Sequence, residues 1–139
     1  MNIVRYLKRK EERDVLYDYK TVNQALRYMR SHGYAEMPVI NQESAYLGTV
    51  KEGDFLWYIV DYGGYENCKN TKVQDIIRKG SVPALKITAT DEELERAALR
   101  CAIVPIIDDR GIFVGVVHSK DIVRYFADKW KACEQKVNA

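Results

Sequence analysis

Apolar residues recur along the chain with two different periods, and the switches between them mark the elements. Val22, Ala25, Leu26 and Met29 share one face at helical spacing, which predicts an amphipathic helix over 22–32. Thr21 suits its N-cap and Gly33 its stop. A strand over 37–40, a polar turn over 41–44 and a strand over 46–50 follow, and a helix over 53–61 ends at Gly63 and Gly64. The same order then returns. Thr90 or Asp91 opens a helix running to Arg100, and strands over 103–107 and 112–117 flank a hairpin turn over 108–111. A long helix covers 120–136. Along it Ile122, Phe126, Trp130, Cys133 and Val137 step by four, four, three and four, which reads as a buried stripe. Short strands at 15–17 and 84–86 precede the two units. Ile3, Tyr6 and Leu7 predict a further amphipathic helix over 2–13, and Val73, Ile76 and Ile77 a short helix in the link between units.

The recurrence is a sequence repeat. Met37-Pro38-Val39-Ile40-Asn41 aligns with Val104-Pro105-Ile106-Ile107-Asp108, Gly48 with Gly115 and Asp54 with Asp121, all at a constant offset of 67 residues. The preceding helices align with one residue deleted in the second copy. A unit of roughly 45 residues is too small to stand alone, so the copies are expected to share a core about a pseudo-twofold axis. The expected fold class is α/β, more narrowly α+β, with two β-α-β-β-α repeats. Its boundaries are an N-terminal helix over 1–14, repeat 1 over 15–64, a linker with a short helix over 65–80, and repeat 2 with an extended C-terminal helix over 81–139.

Composition narrows the function classes. With 22 Lys+Arg against 20 Asp+Glu the 139-residue chain carries a net charge of only +2, which supplies no global field for nucleic acid. The basic cluster of Arg5, Lys8, Arg9, Lys10 and Arg13 is interleaved with Glu11, Glu12 and Asp14 and reads as a solvated helix face. Apolar runs are strand-length, so no membrane span is expected, and the early basic residues interrupt any signal core. Three cysteines, Cys68, Cys101 and Cys133, form no C-x-x-C and no even framework, which suits reduced thiols in a cytoplasmic setting.

The segments Pro38-Val39-Ile40, turn, Leu47-Gly48-Thr49-Val50-Lys51-Glu52-Gly53-Asp54 and Pro105-Ile106-Ile107, turn, Val114-Gly115-Val116-Val117-His118-Ser119-Lys120-Asp121 resemble tandem cystathionine β-synthase (CBS) domains, a pair called a Bateman module. The resemblance covers about residues 15–128 and points to a stand-alone CBS pair. It implies a non-catalytic regulatory module that binds an adenosine nucleotide such as AMP, ADP or ATP between the repeats and requires no cofactor. It also implies a homodimer, with the helices bearing Phe55-Leu56-Trp57-Tyr58 and Ile122-Val123-Arg124-Tyr125-Phe126 as candidate contacts. A regulated protein partner would lie downstream.

Physical chemistry gives those positions a use. A helix N-terminus after a glycine-bearing strand offers free N–H groups to phosphate, and an aspartate there can accept both hydroxyls of a ribose. By resemblance the ribose residues are Asp54 and Asp121; the competing role of each is a helix-capping acid. Where the family has Ser or Thr, this chain has Lys51 and His118. Lys51 only donates and is opposed by Glu52, whereas His118, Ser119 and Lys120 meet no acid before Asp121. The Asp121 site is therefore the favoured one. An adenine slot is implied at Met37-Pro38, at Ile103-Val104-Pro105 and at Val82-Pro83-Ala84, each of which is otherwise a core residue. The sequence leaves two alternatives to an adenosine-nucleotide sensor: a cyclic-dinucleotide sensor, and an interaction scaffold with degenerate or empty sites. No nucleophile accompanies His118 and Asp121, so catalysis is not expected.

Overall fold

The structure is a computed structural model that describes residues 1–9, 15–78 and 81–138. Its elements, in order, are α1 (Ile3–Tyr6), β1 (Lys8–Arg9), β2 (Leu16–Tyr17), α2 (Val22–His32), β3 (Glu36–Ile40), β4 (Tyr46–Lys51), α3 (Glu52–Asp61), α4 (Tyr65–Cys68), β5 (Leu85–Lys86), α5 (Asp91–Ala98), β6 (Ile103–Ile107), β7 (Phe113–His118) and α6 (Ser119–Val137). A 3-10 turn, Val73–Asp75, lies in the linker. Two small sheets result, ordered β2-β3-β4 and β1-β7-β6-β5. The α+β class and the doubled unit are as the sequence pattern predicts.

Local chemistry repeats with the fold. Thr21 and Thr90 each accept the N–H three residues on, and Gln24 and Glu93 each reach back to the cap N–H, so both helices open on a capping box. Asn41 Oδ1 accepts from the N–H groups of Glu43 and Ala45, and Asp108 Oδ1 accepts from those of Arg110 and Ile112, fixing the two hairpin turns in the same way. The capped threonines are 69 residues apart and the prolines 67, so the second copy is shorter by two residues, not one. The loss is taken at the helix: α2 has 11 residues and α5 has 8.

Each repeat has its own core, and a third cluster joins them. Val22, Met29, Met37, Val50 and Phe55 close the first; Leu94, Val104, Ile106, Val117 and Ile122 close the second. Between them Ile40, Ile103, Phe113 and Val116 pack with Val15 and Tyr46. The axis passes through the two hairpin ends, where Phe113 N–H donates to Ser44 O at 2.9 Å and Tyr46 N–H to Gly111 O at 3.5 Å. These two bonds exchange under the 67-residue offset, so the relation between the copies is a twofold one.

Three expectations are corrected. The N-terminal segment is not one helix over 2–13: it turns extended at Leu7, and Lys8 and Arg9 pair antiparallel with Val116 and Gly115 on β7. An open sheet edge offers those backbone groups partners that a short exposed helix lacks. Residues 10–14, the rest of that prediction, lie outside the described residues. The linker helix expected around Val73, Ile76 and Ile77 is only the 3-10 turn Val73–Asp75, and α4, which precedes it, was not expected. Finally, the stripe on α6 is buried only at its start. Ile122 is fully buried, but Trp130 and Val137 are 69% and 82% exposed, because the 19-residue helix outruns the sheet beneath it.

Asp91 ties the second repeat together. Its carboxylate accepts from the Met1 ammonium, from Lys129 Nζ at 3.3 Å and from Tyr125 Oη at 3.4 Å. The hydrogen bond from the Met1 ammonium, helped by Lys129, holds the Asp91 carboxyl below its ordinary range against the opposing effect of desolvation. A group depressed on folding stabilises above its unfolded pKa, and that contribution is lost as pH falls through the folded value. Asp91→Asn is thus expected to lower the melting midpoint by a few degrees at neutral pH. The gap should close below the carboxylate range, as read by scanning calorimetry at both pH values.

Candidate functional site

The prolines explain where the clefts open. Pro38 and Pro105 sit in interior strands of their sheets, β3 and β6, where a missing N–H is normally costly. The two-residue leading strands, however, start pairing only one residue later, at Val39 with Leu16 and at Ile106 with Leu85. The strand starts before each proline therefore have no neighbour on that side, and a notch remains at the sheet edge.

Each notch is completed by the opposite repeat. Tyr46 of repeat 1 donates its hydroxyl to Val82 O at 2.7 Å and lies 2.8 Å from the buried Thr49 hydroxyl. Burial pushes the Tyr46 phenol up, so it stays protonated as the donor. Arg78, further back on the linker, stands 3.9 Å from Asp54 Oδ1. Burial likewise raises the Cys101 thiol, with Glu36 adding to the shift and Lys51 and Arg100 opposing it. The α3 N-terminus of repeat 1 thus faces the start of repeat 2. On the other side of the axis, Val15 joins Phe113 and Val116 of β7, the strand that carries His118 at its end.

The predicted residues fall into three groups. His118, Ser119, Lys120 and Asp121 come together at the N-terminus of α6: His118 ends β7 opposite Ile103, and Ser119 N–H is committed to Ala102 O at 2.9 Å. Half-buried, Asp121 has no hydrogen-bond or ion-pair partner among the described residues. Lys51 and Asp54 come together at the N-terminus of α3, but Asp54 is engaged: its Oδ2 accepts the Lys51 N–H at 2.8 Å, and Oδ1 faces Arg78. The capping role is the one it takes here.

The slot residues divide. Met37 and Val104 are fully buried in the two repeat cores and offer a ligand no side-chain surface. Pro38 and Pro105 are buried as well, and Ile103 is buried in the cluster between repeats. Val82 is buried with its carbonyl taken by Tyr46. Pro83 is exposed and, with Leu85, Glu93, Arg96, Arg100 and Cys101, lines a cavity of about 230 Å³; Ala84 is half-buried beside it. Sequence reasoning missed Tyr46, Arg78, Arg100 and Cys101. Arg100 and Cys101 were findable, since both lie just ahead of the Val104-Pro105 strand start. Nothing in the spacing signals Arg78 or the Tyr46 bond, which depend on how the linker crosses to the other copy.

The two motif glycines mark close approach by the chain itself. A Cβ on Gly115 would stand 2.3 Å from Lys8 O and 3.0 Å from Arg9 Cα; one on Gly48 would stand 2.9 Å from Ile77 Cδ1. The N-terminal segment and the linker thus cross the two copies at equivalent points.

Among the described residues no cluster of His, Cys, Asp and Glu is arranged to hold a metal, and no helix is long and apolar enough to cross a membrane.

Comparison with known proteins gives the same assignment. A family model for the CBS domain matches residues 14–61 and 73–128. Inosine-5'-monophosphate dehydrogenase of Methanocaldococcus jannaschii is 29% identical over 105 residues, which is 75% of this chain but only 20% of that enzyme. The chain therefore spans about one fifth of the length of this relative. Among solved structures, CbpB in complex with c-di-AMP superposes with a TM-score of 0.83 at 18% identity, covering 98% of this chain and 91% of that one. CBSX2 in complex with AMP does so with a TM-score of 0.73 at 17% identity, covering 91% and 96%. The doubled motif, the twofold core and the matched residues agree: the chain belongs to the CBS domain family and is a tandem CBS pair, a Bateman module.

Proposed function

We propose that this protein is a non-catalytic regulatory module that takes an adenosine nucleotide at the N-terminus of α6. The single observation that carries the reading is the half-buried carboxylate of Asp121, unengaged among the described residues, beside Lys120 in the first turn of that helix. A carboxylate so placed suits a ribose, and the helix start suits a phosphate. The reading gains support from CbpB, solved with c-di-AMP, and CBSX2, solved with AMP, which share this fold. At the Asp54 cleft the carboxylate and the Val82 carbonyl are already used, which favours a structural, scaffold-like role there. The setting is cytoplasmic, where such nucleotides and the three free thiols coexist. The module self-associates as a homodimer and passes its ligand state to a regulated protein, by binding unequally to two conformations.

A thermal-shift panel of AMP, ADP, ATP and c-di-AMP tests the ligand class. A ligand at about 100 times its dissociation constant stabilises by about 2.7 kcal/mol, on the order of 10 °C for a domain this size. At least one adenosine ligand is expected to reach that shift, and a flat panel at millimolar concentration would sink the reading. The Asp54 cleft has its own reporter. Cys133 is exposed, Cys101 half-buried and Cys68 buried, so alkylation by iodoacetamide should proceed in that order. A ligand confined to the Asp121 cleft leaves the Cys101 rate unchanged; strong protection of Cys101 would place it in the other cleft.

A further inference from the structure

The exposed face of α2 is basic, and the fold does not require it to be. From Lys20 to Ala35 the chain has Lys20, Arg27, Arg30 and His32 and no acid, whereas α5, the same helix in the second copy, bears Asp91, Glu92, Glu93 and Glu95. The contrast is sharpest at Arg27 and Arg96, which stand 69 residues apart, the offset of the two capping threonines. Arg96 has Glu92 four residues back and 3.9 Å away, a carboxylate that offsets its charge. Arg27 has Asn23 at that place. Asn23 Oδ1 accepts Arg27 Nε–H at 2.9 Å and the Tyr65 hydroxyl at 2.7 Å. A neutral amide aims the guanidinium without cancelling its charge, and the guanidinium has no other partner among the described residues. Arg27 stands between two hollows: one of about 550 Å³ with Leu16, Tyr17 and Lys20 in its wall, the other of about 400 Å³ with Leu26, Arg30 and Tyr65. Arg30, three residues on, is exposed and has no ion-pair partner among the described residues.

We propose that this face docks an acidic segment of the regulated protein, with Arg27 and Arg30 holding its carboxylates and the two hollows taking apolar side chains on either side. Charge complementarity selects the occupant. A second copy is a poor complement, because most acids of its α5 are committed: Asp91 to the Met1 ammonium and Lys129, Glu92 to Arg96, and Glu93 to the Thr90 cap. Nucleic acid is a poor one as well. The net charge of +2 gives it no long-range pull, and Tyr17 and Tyr28 each stack on a ring of the chain itself, Tyr19 and His32. The inference rests on the reading above only for the existence of a regulated protein; it adds the surface and the chemistry of contact, and does not depend on the nucleotide.

The test uses the full chain and the fluorescence anisotropy of three labelled ligands: a peptide alternating glutamate with leucine, the same peptide with glutamine for glutamate, and a single-stranded oligothymidylate. The glutamate peptide is expected to bind, less tightly as salt rises, and the glutamine peptide about tenfold more weakly or worse. Arg27→Glu and Arg30→Glu are each expected to weaken the glutamate peptide about tenfold or more. Arg27→Lys should weaken it less, since lysine keeps the charge and loses the fork. Arg5→Glu, at an exposed arginine on α1, should leave it unchanged. All three positions are exposed, so circular dichroism stays that of the wild type. No binding of the glutamate peptide, or an equal loss in Arg5→Glu, would overturn the inference and leave the nucleotide reading standing. A flat thermal-shift panel with the peptide bound would do the opposite. Oligothymidylate bound more tightly than the glutamate peptide, and released by Arg27→Glu, would overturn the class of partner. A mass lowered by Arg27→Glu in light scattering would give the face to a second copy, and overturn the proposal in that way.

Discussion

Gly115→Ala is expected to destabilise the protein by about 2–4 kcal/mol, on the order of 10 °C in melting midpoint. The cause is steric and local. Gly115 has a φ of +155°, lies between β1 and β6 in the sheet, and leaves no room for a Cβ against the Lys8 carbonyl. Backbone cannot rotate aside as a side chain can, so β1 must leave β7. Ile3, 3% exposed in the second core, would leave with it. Gly48→Ala supplies the control. Its Cβ would meet Ile77 Cδ1, the far end of a flexible side chain, so a smaller loss of about 1–2 kcal/mol is expected. Chemical denaturation of both variants, with limited proteolysis of the N-terminal segment, checks the ordering. Equal losses, or a protected N-terminus in Gly115→Ala, would contradict this account of the motif glycine.

Asp121→Ala is expected to remove the nucleotide-induced shift while costing little stability. With no partner among the described residues, the Asp121 carboxylate anchors nothing whose loss would loosen α6 beyond its charge at the helix start, roughly 0.5 kcal/mol. Losing the acceptor for two ribose hydroxyls is expected to weaken binding by about 10²-fold, since charge-assisted hydrogen bonds contribute about 1.5–3 kcal/mol each. Asp54→Ala should do the reverse. It unties the α3 cap and the Arg78 contact, so stability falls by about 1 kcal/mol while nucleotide response persists. The two aspartates are equivalent in the sequence repeat, and their separation into ligand and cap is a claim about structure alone.

The pattern of apolar positions revealed the repeat, the strands and the capped helices because those depend on residues close in sequence. Thr21 with Gln24 and Thr90 with Glu93 are such local signals. What it concealed depends on contacts between distant segments. The path of Leu7 to Arg9 onto β7 follows from an edge that β7 offers, not from the segment's own helical spacing. Met37 and Val104 carry the same motif position as a ligand wall yet point into the repeat cores, a distinction invisible until the strand faces are assigned. Cys133 and Trp130 show helical periodicity, but periodicity cannot say whether the covering surface belongs to the same chain. The assignment of Asp54 to a cap required seeing Lys51 and Arg78 on it.

Isothermal titration of the wild type and of Asp121→Ala with AMP and with c-di-AMP tests the central claim most directly. The expected result is saturable binding of at least one of them, at no more than one adenosine moiety per Asp121 cleft, lost in Asp121→Ala and retained in Asp54→Ala. Binding that survives Asp121→Ala undiminished, or that vanishes only with Asp54→Ala, would contradict it.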